Sequence, residues 1–232
     1  MSAPPAGRGP AVARFGQALR ARRADLVRSD GRTVPLDVRR WRGSAAGGDG
    51  WLLARCRGRT IDLGCGPGRL VESLIRRGVP ALGVDLEVEA VRQCRRRGAP
   101  VLRADVLGPL PREGRWSHVL LADGNLGIGG DPVALLRRAA RLLAPHGTVL
   151  VELDPDEDGA WRGSARIRSA QADGLPFPWA VIGPRAIPDL AAGAGLLVTA
   201  LHRGRRVFAE LARPDGEPVA AGQAWRPSVP VA

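Results

Sequence analysis

Apolar residues change their spacing twice along this chain. Near the start, Val12, Phe15, Leu19 and Leu26 recur at roughly helical intervals among Arg14, Arg20, Arg22, Arg23 and Arg28, which predicts an amphipathic helix. A glycine-rich stretch over 43–50 separates this segment from the next. From Thr60 onward, short β-rich apolar runs alternate with helical patterns, the pattern of a parallel α/β sheet. Strands are predicted near 60–63, 80–85, 100–103, 117–122 and 147–153, and helices near 68–77, 87–97 and 132–143. Asp131 can cap the last helix, Pro132 suits its first turn, and Pro145 with Gly147 closes it. After Asp154 the alternation stops: two extra strands are expected near 165–170 and 179–183, then a helix over 184–194. Segments 196–202 and 206–212 then flank a turn at Arg203-Gly204-Arg205 and read as a β-hairpin.

The fold expected is therefore α/β: a doubly wound, mostly parallel sheet with a C-terminal antiparallel hairpin. The chain divides into a disordered 1–11, a helical cap segment 12–57, the main domain 58–213 with an insertion at 155–183, and a loose tail 214–232.

Composition narrows the function classes. With 44% hydrophobic and 25% charged residues, the chain has the make-up of a soluble globular protein. Its longest apolar run, 190–201, is too short for the roughly 20 residues of a membrane span, and no secretory leader pattern opens the sequence. A cytoplasmic location is expected. The three cysteines form no CxxC pair and show no zinc-ligand spacing with the three histidines, so neither metal nor disulfide is expected. The net charge of +12 invites a nucleic-acid partner, but all 35 basic residues are arginine, and lysine and tyrosine are absent. That pattern follows GC-rich coding and weakens the inference from charge to polyanion. The excess lies in residues 1–59, with 13 arginines against 4 acids.

Candidate chemistry sits at the strand ends. Gly64, Gly66 and Gly68 occupy the junction of the first strand and first helix of the main domain, where backbone can approach a ligand and helix N–H groups are free. Asp85 ends the second strand, placed to accept from ribose hydroxyls. Asp105 follows the third, within reach of a base. Three such features at adjacent carboxyl ends mark one crevice.

Over about 58–212 the sequence resembles the class I S-adenosylmethionine-dependent methyltransferases, on the strength of Ile61-Asp-Leu-Gly-Cys-Gly-Pro-Gly68. The acid two residues before the first glycine and the GxGxG spacing differ from the GxGxxG usual for dinucleotides. The resemblance implies a Rossmann-like seven-stranded sheet and S-adenosyl-L-methionine as cofactor. Gly64, Cys65, Gly66 and Gly68 would line its methionine part, with Asp62 near the ammonium group. Asp85 would hold the ribose, Leu86 flank the adenine, Asp105 accept from its amine and the Val106 backbone meet the ring edge.

Ala122-Asp-Gly-Asn-Leu-Gly-Ile-Gly-Gly-Asp131 corresponds to the family's site beside the reactive methyl, which makes Asp123 and Asn125 the candidate catalytic residues. Asn125 is the sole asparagine of the chain. The segment departs from the Asn/Asp-Pro-Pro-aromatic motif of amino-directed nucleic-acid enzymes. If the acceptor is protonated, Asp123, His118, Glu152 or His202 are candidate bases. Trp41, Trp51, Trp161 and Trp179 lie in the segments 12–57 and 155–183, which are expected to build the acceptor pocket. The reading is methyl transfer to a small molecule, an acidic one fitting the local charge better than a cationic one. The rivals are an RNA-directed methyltransferase using the basic N-terminal segment, a non-catalytic cofactor-binding protein, and a nicotinamide-dependent oxidoreductase, which the GxGxG spacing and the hairpin disfavour.

Overall fold

The computed structural model describes residues 15–45, 47–170 and 172–214, so the expectations for 1–11 and for nearly all of 214–232 fall outside the described residues. From the N-terminal side, α1 (Gly16–Arg20), β1 (Ala24–Arg28), β2 (Thr33–Leu36), α2 (Val38–Arg42) and α3 (Gly50–Arg55) precede the alternating part. There β3 (Thr60–Leu63), α4 (Arg69–Arg76), β4 (Ala81–Asp85), α5 (Val88–Arg96), β5 (Val101–Arg103), β6 (Trp116–Leu121), α6 (Pro132–Leu142) and β7 (Leu143–Leu153) follow in turn. The chain continues through β8 (Ala160–Ser169), β9 (Phe177–Ile182), α7 (Ile187–Gly193) and the hairpin of β10 (Leu197–Arg203) and β11 (Val207–Ala212).

The main sheet has seven strands in the order β10-β11-β7-β6-β3-β4-β5. Strands β3 to β7 pair in parallel, whereas β11 runs antiparallel to both β7 and β10. Its inner strands such as β3 are buried on both faces, which explains their continuous apolar runs, whereas the edge strands β10 and β5 are largely exposed. Within β6, Val119 and Leu121 pack toward Leu135, Leu136 and Ala139 of α6 and Ile187 of α7. Leu120 between them packs on the opposite side with Leu52 and Leu53 of α3 and Leu70 and Leu74 of α4. The two-residue period thus sends neighbouring side chains into separate cores, one under each helical layer. The signals read for α6 act as expected: Asp131 accepts from the Ala134 N–H at 3.1 Å, and Pro132 fills the first turn.

The N-terminal segment corrects the sequence reading. The cap was expected to be helical through Leu26, but only Gly16–Arg20 is helix there, and Ala24–Arg28 is a strand. Helical spacing of four apolar residues is outweighed by long-range pairing: β1 lies antiparallel to β8 with Leu26 opposite Ile167, and both side chains are buried. Together β2-β1-β8-β9 form a second, four-stranded sheet. Segments 12–57 and 155–183, distant in sequence, therefore share one structure. Strand β9 is its seam with the main domain: Ala180 and Ile182 join the α6-side core, while Phe177, Trp179 and Val181 join a third cluster with Leu26, Val38 and Ile167.

Candidate active site

The carboxyl ends of β3, β4 and β6 open onto one crevice, with α4 starting at its floor. The turn between β3 and α4 takes left-handed dihedrals at Gly64, Gly66 and Gly68, with φ of 75°, 53° and 82°. A β-carbon at Gly64 would strike Asn125 at 2.7 Å and one at Gly68 would strike the Cys94 sulfur at 2.7 Å, but one at Gly66 would meet nothing within 4 Å. Two glycines are thus required by packing. The third leaves the backbone open to a ligand, as a cofactor lying along the loop requires.

Asp85 closes the neighbouring edge. One carboxylate oxygen accepts from Gly66 N–H and the other from Glu87 N–H, each at 2.8 Å. Burial raises its pKa, and these backbone donors oppose the rise. The Leu86 N–H adds a third backbone interaction, and the carboxylate retains acceptor capacity for a ligand hydroxyl. Asp62 is 2% exposed beneath the glycine loop. Burial, opposed by Arg69 and reinforced by Asp123, Asp85 and Asp49, pushes its pKa up to about 7. A cation placed beside it would relieve that cost. Asp105 is exposed and accepts from the Leu107 N–H at 2.9 Å, and Val106 beside it is buried. The Leu86 carbonyl accepts from Arg103 Nε at 3.3 Å.

Cys65 is placed differently from the glycines around it. Its side chain is buried behind the loop, with its sulfur 3.8 Å from that of Cys94. The contact with Cys94 and burial raise its pKa well above the ordinary thiol value. Only its backbone is left to serve a ligand in the crevice.

Asp123 and Asn125 both lie beside the crevice, but both are engaged. Asn125 Nδ2 donates to the carbonyls of Leu63 and Gly64 at 3.0 and 2.7 Å, bracing the glycine turn. Asp123, at φ 55°, is clasped by guanidinium groups: Arg40 at 2.7 Å and Arg206 at 3.5 Å on Oδ1, and Arg69 at 2.7 Å on Oδ2. Arg69 also pairs with the buried Asp49, and Arg206 reaches both Asp49 at 2.5 Å and Glu152 at 2.6 Å. Burial acts to raise the pKa of Asp49, and Arg69 and Arg206 reverse this to leave it lowered. A carboxylate engaged by three guanidinium groups is placed as a structural anchor.

The other candidate bases lie elsewhere or are occupied. Glu152 accepts from Arg206 and from the Asp123 N–H. His118 bonds Thr148 Oγ1 and the Arg57 N–H at the opposite, amino end of β6, and burial lowers its pKa. His202 stacks with Trp51 and Phe208 on the hairpin.

Beside the loop after β6, Phe177 and Trp179 of β9 meet Phe15 and Trp41 in one aromatic cluster. Phe15 lies 5.2 Å from Trp179, 5.7 Å from Phe177 and 6.3 Å from Trp41, measured between ring centres. Trp179 packs against Gly127, where a β-carbon would collide with the Ala180 carbonyl and the indole. Trp51 and Trp161 do not join these rings: Trp51 stacks on Phe208, and Trp161 lies under Arg28. The sequence reading missed Arg40, Arg69, Arg206, Asp49 and Glu87, the last of which accepts from the Phe15 N–H at 2.5 Å and ties the N-terminal segment to the Asp85 turn. Among 35 arginines no single one stands out, so only Arg69, directly after the third glycine, carried a positional hint. A cation at a helix N-terminus is unfavourable unless acids hold it.

This sheet order, with a glycine turn after its central strand and acids on the flanking ends, defines the class I methyltransferase fold. Residues 61–147 match the family model described as a methyltransferase domain. A trans-aconitate 2-methyltransferase of Paracidovorax citrulli is 30% identical over 136 residues, covering 55% of this chain and 50% of that protein. One from Methylobacterium nodulans is 38% identical over 115 residues, covering 45% and 43%. The chain thus spans about half the length of these curated relatives. Among solved structures, a methyltransferase from Bacteroides fragilis, in complex with S-adenosyl-L-homocysteine, superposes with a TM-score of 0.70 at 20% identity. The match covers 86% of this chain and 91% of that one.

Proposed function

We propose that the chain binds S-adenosylmethionine along the glycine turn and transfers its methyl group to a small molecule held under the second sheet. The observation that carries this reading is the open backbone at Gly66, whose N–H donates to Asp85 at 2.8 Å at the carboxyl ends of β3 and β4. When bound, the sulfonium of such a cofactor supplies an electrophilic methyl group. The protein's own residues bind and align. Gly64, the Cys65 backbone, Gly66 and Gly68 form the cradle, and Asp62 faces the ammonium. Asp85 takes the ribose hydroxyls, and Leu86, Asp105 and Val106 border the base. Asn125 acts as a positioning residue through the glycine turn, and Asp123 as the hub that fixes Arg40. Phe15, Trp41, Phe177 and Trp179 exclude water from the acceptor side, where alignment is the main catalytic resource.

The RNA-directed alternative loses support from the use made of the N-terminal arginines. Arg28 pairs with Asp30 and Glu157, Arg40 with Asp123 and Arg55 with Glu210, while Arg42 donates to the carbonyls that end α1. No described helix is long and apolar enough to cross a membrane. Three buried free thiols suit a reducing, cytoplasmic setting.

A pH titration tests the cofactor assignment. With the Asp62 carboxyl near pKa 7 in the free protein, an ammonium beside it lowers that value, so binding expels a proton below pH 7. Affinity for S-adenosylhomocysteine should be full above about pH 7.5 and fall by nearly tenfold per pH unit below 7. Calorimetry between pH 5.5 and 8.5 measures this. Asp62→Asn should bind more weakly at pH 8 and lose the slope. A wild-type affinity flat across the range removes Asp62 from the site.

A further inference from the structure

Two of the three cysteines meet behind the glycine turn. Cys65 lies in the turn between Gly64 and Gly66, Cys94 lies on the buried face of α5, and their sulfurs are 3.8 Å apart. Glycines make room for both. A β-carbon at Gly83 of β4 would strike the Cys65 sulfur at 2.5 Å, and one at Gly68 would strike the Cys94 sulfur at 2.7 Å. The two thiols are thus in direct contact, and a bond of about 2.05 Å between them requires an approach of roughly 1.8 Å. Cys56, the third cysteine, is engaged elsewhere, its thiol donating to the Leu52 carbonyl of α3 at 3.3 Å.

The pair is tied to the part of the turn left open to a ligand. Cys94 Sγ donates to the Gly66 carbonyl at 3.1 Å, and the Gly66 N–H donates to Asp85 at 2.8 Å. Gly66 is therefore held by a thiol on one side and by a carboxylate on the other. A disulfide between Cys65 and Cys94 removes the thiol proton that the Gly66 carbonyl accepts. Because the Cys65 side chain is buried behind the loop, closing the gap also draws the turn toward α5 and away from the crevice. Cys65 is 8% exposed and Cys94 0%, so an oxidant meets Cys65 first. The contact with Cys94 and burial hold the Cys65 thiol protonated, so the pair responds to sustained oxidant and stays reduced through brief exposure.

Building on the cofactor reading above, we propose that Cys65 and Cys94 form a site of reversible oxidation by hydroperoxides, and that the disulfide between them weakens cofactor binding. The sulfur of Cys65 attacks a peroxide oxygen, the O–O bond breaks, and the thiol becomes a sulfenic acid while the other oxygen leaves with the thiol proton, as water when the oxidant is hydrogen peroxide. The Cys94 sulfur then attacks the Cys65 sulfur, the S–O bond breaks, and the hydroxyl leaves with the Cys94 proton as water. Two thiols lose two electrons and two protons, and one hydrogen peroxide is reduced to two waters. A dithiol reverses the bond by exchange.

The test treats the reduced full chain with hydrogen peroxide, removes the oxidant, and alkylates the denatured protein with iodoacetamide. The untreated chain takes up label at all three cysteines, whereas the treated chain should take it up at Cys56 alone and yield a peptide that joins Cys65 to Cys94. S-adenosylhomocysteine affinity, measured by calorimetry, should fall by about tenfold or more after peroxide and return with dithiothreitol. Cys94→Ser, which keeps a donor for the Gly66 carbonyl, should show the same affinity before and after peroxide. Cys56→Ser should respond as the wild type does. Free thiols at both positions after peroxide, a sulfinic acid at Cys65 without a cross-link, or a cross-link that leaves affinity unchanged each overturns the proposal. So does a loss of affinity in peroxide-treated Cys94→Ser equal to that of the wild type. Failure of the reduced wild-type chain to bind S-adenosylhomocysteine instead overturns the cofactor reading on which this rests.

Discussion

Arg69→Leu should destabilise the protein by about 3–5 kcal/mol, the cost of removing one partner from a buried ion pair. Arg69 is 2% exposed and Asp49, its partner, 1%. The substitution takes one guanidinium from Asp49 and strips Oδ2 of Asp123 of its cation. It also removes a cation that favours an ionised Asp62. Urea unfolding at pH 7.5 measures the loss, which is a large share of the 5–15 kcal/mol typical of a folded domain. Arg69→Leu combined with Asp49→Asn should cost less than the sum of the two single substitutions, because the second removes the charge the first strands. A loss under about 1 kcal/mol for Arg69→Leu, or strict additivity in the pair, contradicts the network as described. The network matters because it ties α2 and the turn before α3 to strand ends of the main sheet. It links α2 through Arg40, the turn before α3 through Asp49, the start of α4 through Arg69, the loop after β6 through Asp123, β7 through Glu152 and the start of β11 through Arg206. Three cations and three carboxylates balance there, so the region is held rigid without a net charge of its own.

What could be read from the sequence follows the range of the forces involved. Strands β3, β4, β6 and β7 and the helices between them announce themselves because each apolar run, cap and glycine acts within about ten residues, as with Asp131 and Pro132 at the start of α6. The mostly parallel sheet with its C-terminal hairpin was legible for the same reason, the resemblance supplied the count of seven strands, and the observed sheet has seven. The second sheet was not legible. Leu26 is a strand residue because Ile167 lies opposite it, and nothing near Leu26 encodes that partner. The site shows the same division. Glycine positions and Asp85 stand out as a local motif at strand ends. By contrast, the surroundings of Asp123 depend on Arg40, Arg69 and Arg206, which converge from three separate elements, so a loop aspartate that reads as a candidate base is in fact an anchored one. Cys65 sits within the motif, yet the direction of its side chain was set by Gly83 and Cys94 on neighbouring elements.

Asp85→Ala should weaken S-adenosylhomocysteine binding by about 10- to 150-fold, the equivalent of 1.5–3 kcal/mol for hydrogen bonds to a charged group. The effect has two sources. The carboxylate would lose its hydroxyl partners on the ligand, and it also holds Gly66 N–H and Glu87 N–H at 2.8 Å each, so its removal frees the turn that the ligand must lie against. A second substitution separates them. Asp85→Asn keeps one acceptor oxygen and the side-chain shape, so the turn retains part of its support, while one of the two ribose hydroxyls meets an NH2 group that cannot accept from it. If recognition of the ribose dominates, Asp85→Asn should lose nearly as much affinity as Asp85→Ala. If bracing of the turn dominates, Asp85→Asn should recover most of it. Calorimetry on variants whose urea midpoints match the wild type distinguishes the two cases. Affinity unchanged in both variants, with the fold intact, means that no ligand hydroxyl reaches Asp85, and the crevice at the end of β4 then has to be occupied in some other orientation.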